Sequence, residues 1–206
     1  MTKFNPTELI TKYGIISSQV DKAELETVLD ELHKSLQTQT GNIVEFGCYI
    51  GTTSLYIRRV MDMLNITNEF HVYDSFEGLP EKTDQDTSPL GEQFKTGELS
   101  VSKKAFIHEF QKAHLKSPSI HKGWFDDLKH EDVPDKISFA FLDGDYYESV
   151  KVPLELITRK LLPGATIVVD DYGNQALPGA RKAVDEWCVK HGKSVREVAS
   201  LAVIQY

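Results

Sequence analysis

Three aspartates end the two most strand-like runs of this sequence. Asp143 follows the apolar run 136–142, and Asp170 and Asp171 follow the run 165–169. Neighbouring strands of one sheet lie about 5 Å apart, so the three carboxylates are expected to converge at one sheet edge. Left alone there, they would repel one another and raise each other's pKa. A hard divalent cation relieves that repulsion, and oxygen ligands at about 2.1 Å suit Mg²⁺. The alternative is that Asp145 caps the following helix, Asp170 points elsewhere and the rest is solvated.

Three further groups follow strand ends. The turn Glu45-Phe46-Gly47-Cys48-Tyr49-Ile50-Gly51 carries two glycines four apart, leading into a helix. Such glycines let the backbone turn tightly and approach a ligand, while the helix start offers free amides. The spacing is not the GxGxxG of a dinucleotide pyrophosphate site, which weakens a nicotinamide reading. Asp74 ends the next strand, where a carboxylate can accept from two ribose hydroxyls. It can equally cap the turn Ser75-Phe76-Glu77-Gly78. In Gly123-Trp124-Phe125-Asp126-Asp127, Trp124 or Phe125 could flank an adenine and Asp126 accept from its exocyclic amine. Equally, the aromatics could be core and the aspartates a cap.

These groups need strands to carry them. Strands are expected at 42–46, 70–74, 119–122, 136–142, 165–169, 194–198 and 201–205. Helices are expected at 52–63, 102–114, 147–162 (stopped by Pro163-Gly164) and 178–190. Alternating helices and continuous apolar strands predict an α/β fold: a mostly parallel seven-stranded sheet with helices on both faces, Rossmann-like. Ligands then bind beyond the carboxyl ends of the strands. Ahead of this rhythm, residues 20–36 carry a helical stripe at Leu25, Val28, Leu29, Leu32 and Leu36. Asp21 and Glu24 are spaced as a capping box at its start. The segment 75–99, polar and rich in Pro and Gly, is too long for an ordinary connection and is expected to be functional or mobile.

Size fits one domain over 1–206, with 1–40 as an N-terminal helical appendage. That appendage is either an interface in a homo-oligomer or a cover for the sheet. A net charge of −8 without a basic stripe argues against a nucleic-acid partner. No apolar run is long enough to span a membrane, and Met1 to Pro6 lacks the apolar core of a secretory signal. Cys48 and Cys188 are isolated, which fits a reducing cytoplasm and excludes a thiolate metal site. The seven histidines have no metal-ligand spacing and are read as structural or surface.

Taken together, Val44 to Gly51, Tyr73 to Pro80, Gly123-Trp124-Phe125, Leu142 to Ser149, Val169 to Gly173 and Gly179 to Glu186 resemble the TylF/MycF-type (macrocin O-methyltransferase-like) family of class I methyltransferases. These use S-adenosylmethionine (SAM). The resemblance covers about residues 41–187. It implies that Glu45, Gly47 and Gly51 line the methionine and ribose side of SAM and that Asp74 takes the ribose hydroxyls. Thr52 and Ser75 beside them, with Trp124 and Asp126, complete the expected cofactor set. It implies Mg²⁺ on Asp143, Asp170 and Asp171, and methylation of a hydroxyl on a small molecule with vicinal hydroxyls, a sugar or related natural product. Asp143, or a water, would collect the proton. Where catechol-type enzymes place a lysine three residues after the first metal aspartate, this chain has Tyr146. The rival functions are a non-catalytic SAM-binding module and a nicotinamide-dependent oxidoreductase.

Overall fold

A computed structural model describes residues 4–206; Met1, Thr2 and Lys3, part of the stretch read as lacking a secretory core, lie outside it. Seven strands form one sheet: β1 (Asn42–Phe46), β2 (Phe70–Asp74), β3 (Ser119–Lys122), β4 (Ile137–Leu142), β5 (Leu161–Val169), β6 (Val195–Val198) and β7 (Leu201–Gln205). Their order is β3-β2-β1-β4-β5-β7-β6. β1 to β5 pair in parallel, while β7 runs antiparallel to both β5 and β6. The strand order reverses between β1 and β4, which is where such sheets open a crevice.

Helices cover both faces. On one side lie α1 (Pro6–Tyr13), α2 (Lys22–Thr38), α3 (Thr52–Met63) and α4 (Lys103–Lys112). On the other lie α5 (Tyr147–Ile157) and α6 (Pro178–His191). Period-two alternation sorts each strand between them: Ile43, Phe139, Phe141 and Val168 join the first core, and Val44, Ala140, Leu142 and Val169 join the second. Glu45 sits on the first face, toward α3.

The sheet therefore has the expected architecture. In the N-terminal helical stretch α2 covers the sheet: it packs on α3, β4 and β5, and its whole predicted stripe is buried. Ahead of it α1 is a true helix, capped by Asn5, opened by Pro6 and closed by Gly14 at φ 73°. Finally, α5 stops at Ile157, not 162, and β5 runs through Pro163-Gly164. Pairing overrides the helix stop signal here, because Leu161 faces Ile137 across the sheet and the Ile137 amide donates to the Lys160 carbonyl.

The segment 75–99 holds only one short 3-10 turn, Asp84–Asp86. Its two ends are tied together: Leu79 N–H donates to Glu98 O (2.9 Å) and Gly97 N–H donates to Leu79 O (2.9 Å).

Candidate functional site

At the carboxyl ends of β1, β2, β4 and β5 the strands open into a cavity of about 510 Å³. The alignment of these ends is set by the backbone. Asp143 N–H donates to Phe46 O and Asp170 N–H to Leu142 O, both at 2.8 Å, and Gly47 N–H donates to Tyr73 O at 2.9 Å. Gly47, at φ 83°, lies so close to Asp143 that no side chain fits at this position.

Among the expected cofactor residues, Glu45, Gly47, Thr52, Asp74, Ser75, Trp124 and Asp126 border the cavity. Gly51 does not. It has φ 92° at the start of α3, and a Cβ there would stand 2.7 Å from the Phe106 ring, so its glycine serves the turn and the packing. Asp74 is a clamp in this structure. One carboxylate oxygen accepts from Cys48 N–H (2.8 Å) and Tyr49 N–H (3.2 Å), and the other from Phe76 N–H (2.6 Å). It thus fixes the glycine turn of β1 to the end of β2. Ser75 accepts from Glu77 N–H and donates to Gly78 O, shaping the turn that follows. Phe125 is half-buried, packs edge-on to Phe46 and also borders the cavity, whereas Trp124 is exposed at the cavity rim.

Glu45 is sealed from solvent between β1 and α3, where Ser54 donates to it at 2.5 Å. Burial, helped by the Asp74 charge, pushes its carboxyl up to about 8. Its other oxygen, Oε1, and the hydroxyl of Thr52 have no hydrogen-bond partner. Unpaired buried polar atoms are rare and costly. Two of them beneath one wall of a cavity mark where a polar ligand fits, and a cofactor with an ammonium and a carboxylate suits this pair. Cys48 is buried and its thiol is pushed up by burial and by Asp74, which fits packing and not nucleophilic chemistry.

The acid cluster occupies the floor. Asp143, Asp170 and Asp171 are half-buried, facing the cavity from deep in the molecule. Burial first, then the neighbouring Asp170, raises Asp143 well above the carboxylate range; Asp170 is raised by burial and Asp171. The donor set suits a hard cation by its chemistry. It is not gathered around one point, however: among the described residues, no three His, Cys, Asp or Glu side chains stand as a metal cage. The three carboxylates thus meet at one sheet edge, as expected from the strand ends, but do not form a ready-made cage. Asp170 Oδ1 accepts from Asp171 N–H at 2.8 Å, and Asp171, at φ 58°, turns its Oδ1 to the Asn174 amide at 2.9 Å.

Three acids at the site had no functional signal in the sequence. Asp145 does not cap α5; it is buried beside Asp171, which together with burial raises it. Glu24, spaced as a capping-box partner, borders the cavity instead. Burial, then Asp171 and Asp21, push it to about 7. Asp86, in the segment 75–99, accepts from Tyr147 N–H at 2.7 Å and from Thr83 N–H and Oγ1 at 2.8 Å. The cap of α5 thus comes from the roof of the cavity. Among the described residues, no lysine, arginine or histidine borders the cavity.

Comparison with known proteins agrees with this geometry. The TylF profile, described as Macrocin-O-methyltransferase, matches residues 17–203. A curated relative from Streptomyces olivaceus, 8-demethyl-8-(2,3-dimethoxy-alpha-L-rhamnosyl)-tetracenomycin-C 4'-O-methyltransferase, is 30% identical over 161 residues, covering 75% of this chain and 60% of its own. Mycinamicin III 3''-O-methyltransferase of Micromonospora griseorubida is 26% identical over 162 residues, 75% of this chain and 63% of that one. The chain thus spans about three fifths of the length of these relatives. In fold, the solved O-methyltransferase NovP superposes with a TM-score of 0.80 at 22% identity, over 91% of this chain and 81% of NovP. The calicheamicin methyltransferase CalS11 gives 0.71 at 19% identity, over 98% and 90%. With the profile running from before α2 into β7, the chain belongs to the TylF (macrocin-O-methyltransferase) family.

Proposed function

We propose that this protein is a SAM-dependent O-methyltransferase that acts on a hydroxyl of a sugar-bearing small molecule with vicinal hydroxyls, assisted by a divalent cation. The observation that carries the reading is the cavity at the topological switch of the sheet, whose charged lining residues are, among the described residues, all acidic. Such a lining attracts a cationic ligand and disfavours a pyrophosphate, which separates this reading from a nicotinamide one. Support for the acceptor class comes from the tetracenomycin relative, whose name places its methyl on a rhamnosyl-bearing compound.

When bound, SAM supplies an electrophilic methyl on a sulfonium, and the cation acidifies a coordinated hydroxyl. The chain's own residues do the rest. Glu45 and Thr52 offer unpaired polar atoms to the amino-acid end of the cofactor. Asp74 keeps the glycine turn at its ribose end and has one lone-pair site left, on Oδ1, for a hydroxyl. Asp143, Asp170 and Asp171 would hold the cation. Asp143, at the junction of β1 and β4, is the residue proposed to receive the acceptor proton, by its position on the floor of the cavity. Asp86 and the segment 75–99 form the roof that keeps water from the site. Trp124 and Asp126 form the rim assigned to the adenine.

The test is calorimetric titration of S-adenosylhomocysteine, with Mg²⁺ and with EDTA, paired with methyl-transfer assays on rhamnosides. Expected are micromolar binding in both buffers and turnover that EDTA removes. Asp170→Asn should lose the Mg²⁺-dependent turnover and keep S-adenosylhomocysteine binding. Absence of binding by the wild type would overturn the reading, and full turnover of Asp170→Asn in EDTA would overturn the cation's part in it.

A further inference from the structure

Two adjacent tyrosines open α5, and the structure treats them in opposite ways. Tyr147 turns to α6, where its hydroxyl donates to Glu186 at 2.6 Å and its ring joins the core between α5, α6 and the sheet. Tyr146 is only 1% exposed, borders the cavity, and its hydroxyl has no hydrogen-bond partner. It is the only tyrosine among the described residues with a buried unpartnered hydroxyl.

The surroundings of Tyr146 are those of a subsite. Its ring packs in a small apolar cluster with Leu79 and Leu177, against which Phe94 and Leu99 rest half-buried. The Lys82 ammonium stands 5.4 Å from the ring centroid. Leu79, Phe94 and Leu99 all belong to the segment 75–99, so the phenol is shut in by the roof and not by the sheet. A protein that buries a polar hydrogen without a partner carries an unfavourable state until something supplies one.

We infer that Tyr146 is an acceptor-binding, specificity-determining residue, whose hydroxyl bonds a sugar hydroxyl of the acceptor once the roof side chains move aside. The inference rests on the methyltransferase reading and deepens it. The apolar walls suit the carbon-bound face of a sugar ring, the phenol suits one of its hydroxyls, and the carboxylates of the floor border the same cavity. Tyr146 thus sets which hydroxyl reaches the floor.

The test uses the full chain with saturating S-adenosylhomocysteine and methyl α-L-rhamnopyranoside as the probe, in wild type, Tyr146→Phe and Tyr147→Phe. For Tyr146→Phe, rhamnoside affinity should fall about tenfold or more, S-adenosylhomocysteine affinity should be unchanged, and the Tm should equal or exceed that of wild type. The last follows because no intramolecular bond is lost. Tyr147→Phe should lower Tm, since it breaks the Glu186 bond. In turnover assays of the same glycoside, Tyr146→Phe should raise KM more than it lowers kcat. Equal rhamnoside affinity in wild type and Tyr146→Phe, no rhamnoside binding by wild type, or a lowered Tm in Tyr146→Phe would each overturn the inference. Failure of wild type to bind S-adenosylhomocysteine is the separate failure of the underlying reading, and the inference falls with it.

Discussion

Gly47 and Asp143 touch across the junction of β1 and β4, with a Cβ on residue 47 overlapping the Asp143 carbonyl oxygen. The contact joins the cofactor turn to the first aspartate of the floor. Both its partners are backbone, so no rotamer change can relieve an added atom. Gly47→Ala also forces a side chain into φ 83°. The expected cost is about 2 kcal/mol or more, seen as a lower urea midpoint, together with loss of S-adenosylhomocysteine binding. An alanine variant that binds normally would show that the two strand ends can part without consequence.

Glu45 provides a pH signature. Its carboxyl is raised to about 8 in the folded chain, above the ordinary value of 4.5. Between these values the folded state holds a proton that the unfolded state has lost, so wild-type stability falls as pH rises through this window. Above about 8 the loss is complete and the contribution is flat. Glu45→Gln mimics the protonated form and keeps an acceptor for Ser54. Urea titrations in EDTA should find the two proteins equal below about 4.5. The glutamine variant should gain through the window and keep a constant lead beyond it. A lead that is already full at low pH would mean that the carboxyl is ionised in the folded protein.

Asp86 joins the roof to α5, accepting from Tyr147 N–H and from two Thr83 donors. Asp86→Ala leaves the first amide of α5 without its cap, at an expected cost of about 1–2 kcal/mol. Hydrogen exchange should quicken in the segment 75–99 and in the first turn of α5, while α6 and β4 keep their protection. Uniform loss of protection across the sheet would show Asp86 to be a core residue and not a fastening of the roof.

Leu32, on the inner face of α2, is fully buried in the core shared with the sheet. Leu32→Ala should cost about 2–5 kcal/mol, measured by chemical denaturation as one cooperative transition. A change below about 1 kcal/mol would show that α2 is a detachable appendage.

How much of this was legible in the sequence depends on where the information lay. β1, β2, β3 and β7 and the helix α3 have the expected bounds, because continuous apolar runs between glycine and aspartate signals leave little choice. The end of α5 was misplaced because Pro163-Gly164 is a strong local stop. The pairing of Leu161 with Ile137, which overrides it, is a contact between distant residues. The residues bordering the cavity were found wherever they directly follow a strand. Glu24 and Asp86 follow none. Glu24 reaches the floor from a helix packed across the sheet, and Asp86 from a segment without periodicity, so both were invisible to any pattern. Gly51 was read as a ligand neighbour from the resemblance, yet its constraint is the Phe106 ring, roughly 180 Å of extended chain away in sequence terms and adjacent only in the fold. The three floor aspartates were correctly placed in space, whereas their side-chain directions depended on the Asn174 amide and one left-handed residue.

The two bonds between Leu79 and the pair Gly97 and Glu98 close the roof on itself at its base. Chain can therefore be added, deleted or exchanged between those anchors without tension reaching β2 or α4, since loop closure depends only weakly on length. The floor, by contrast, is assembled from four strand ends and admits almost no change. A lineage built on this plan can vary what it accepts by swapping an exchangeable cassette, while the chemistry beneath is inherited intact.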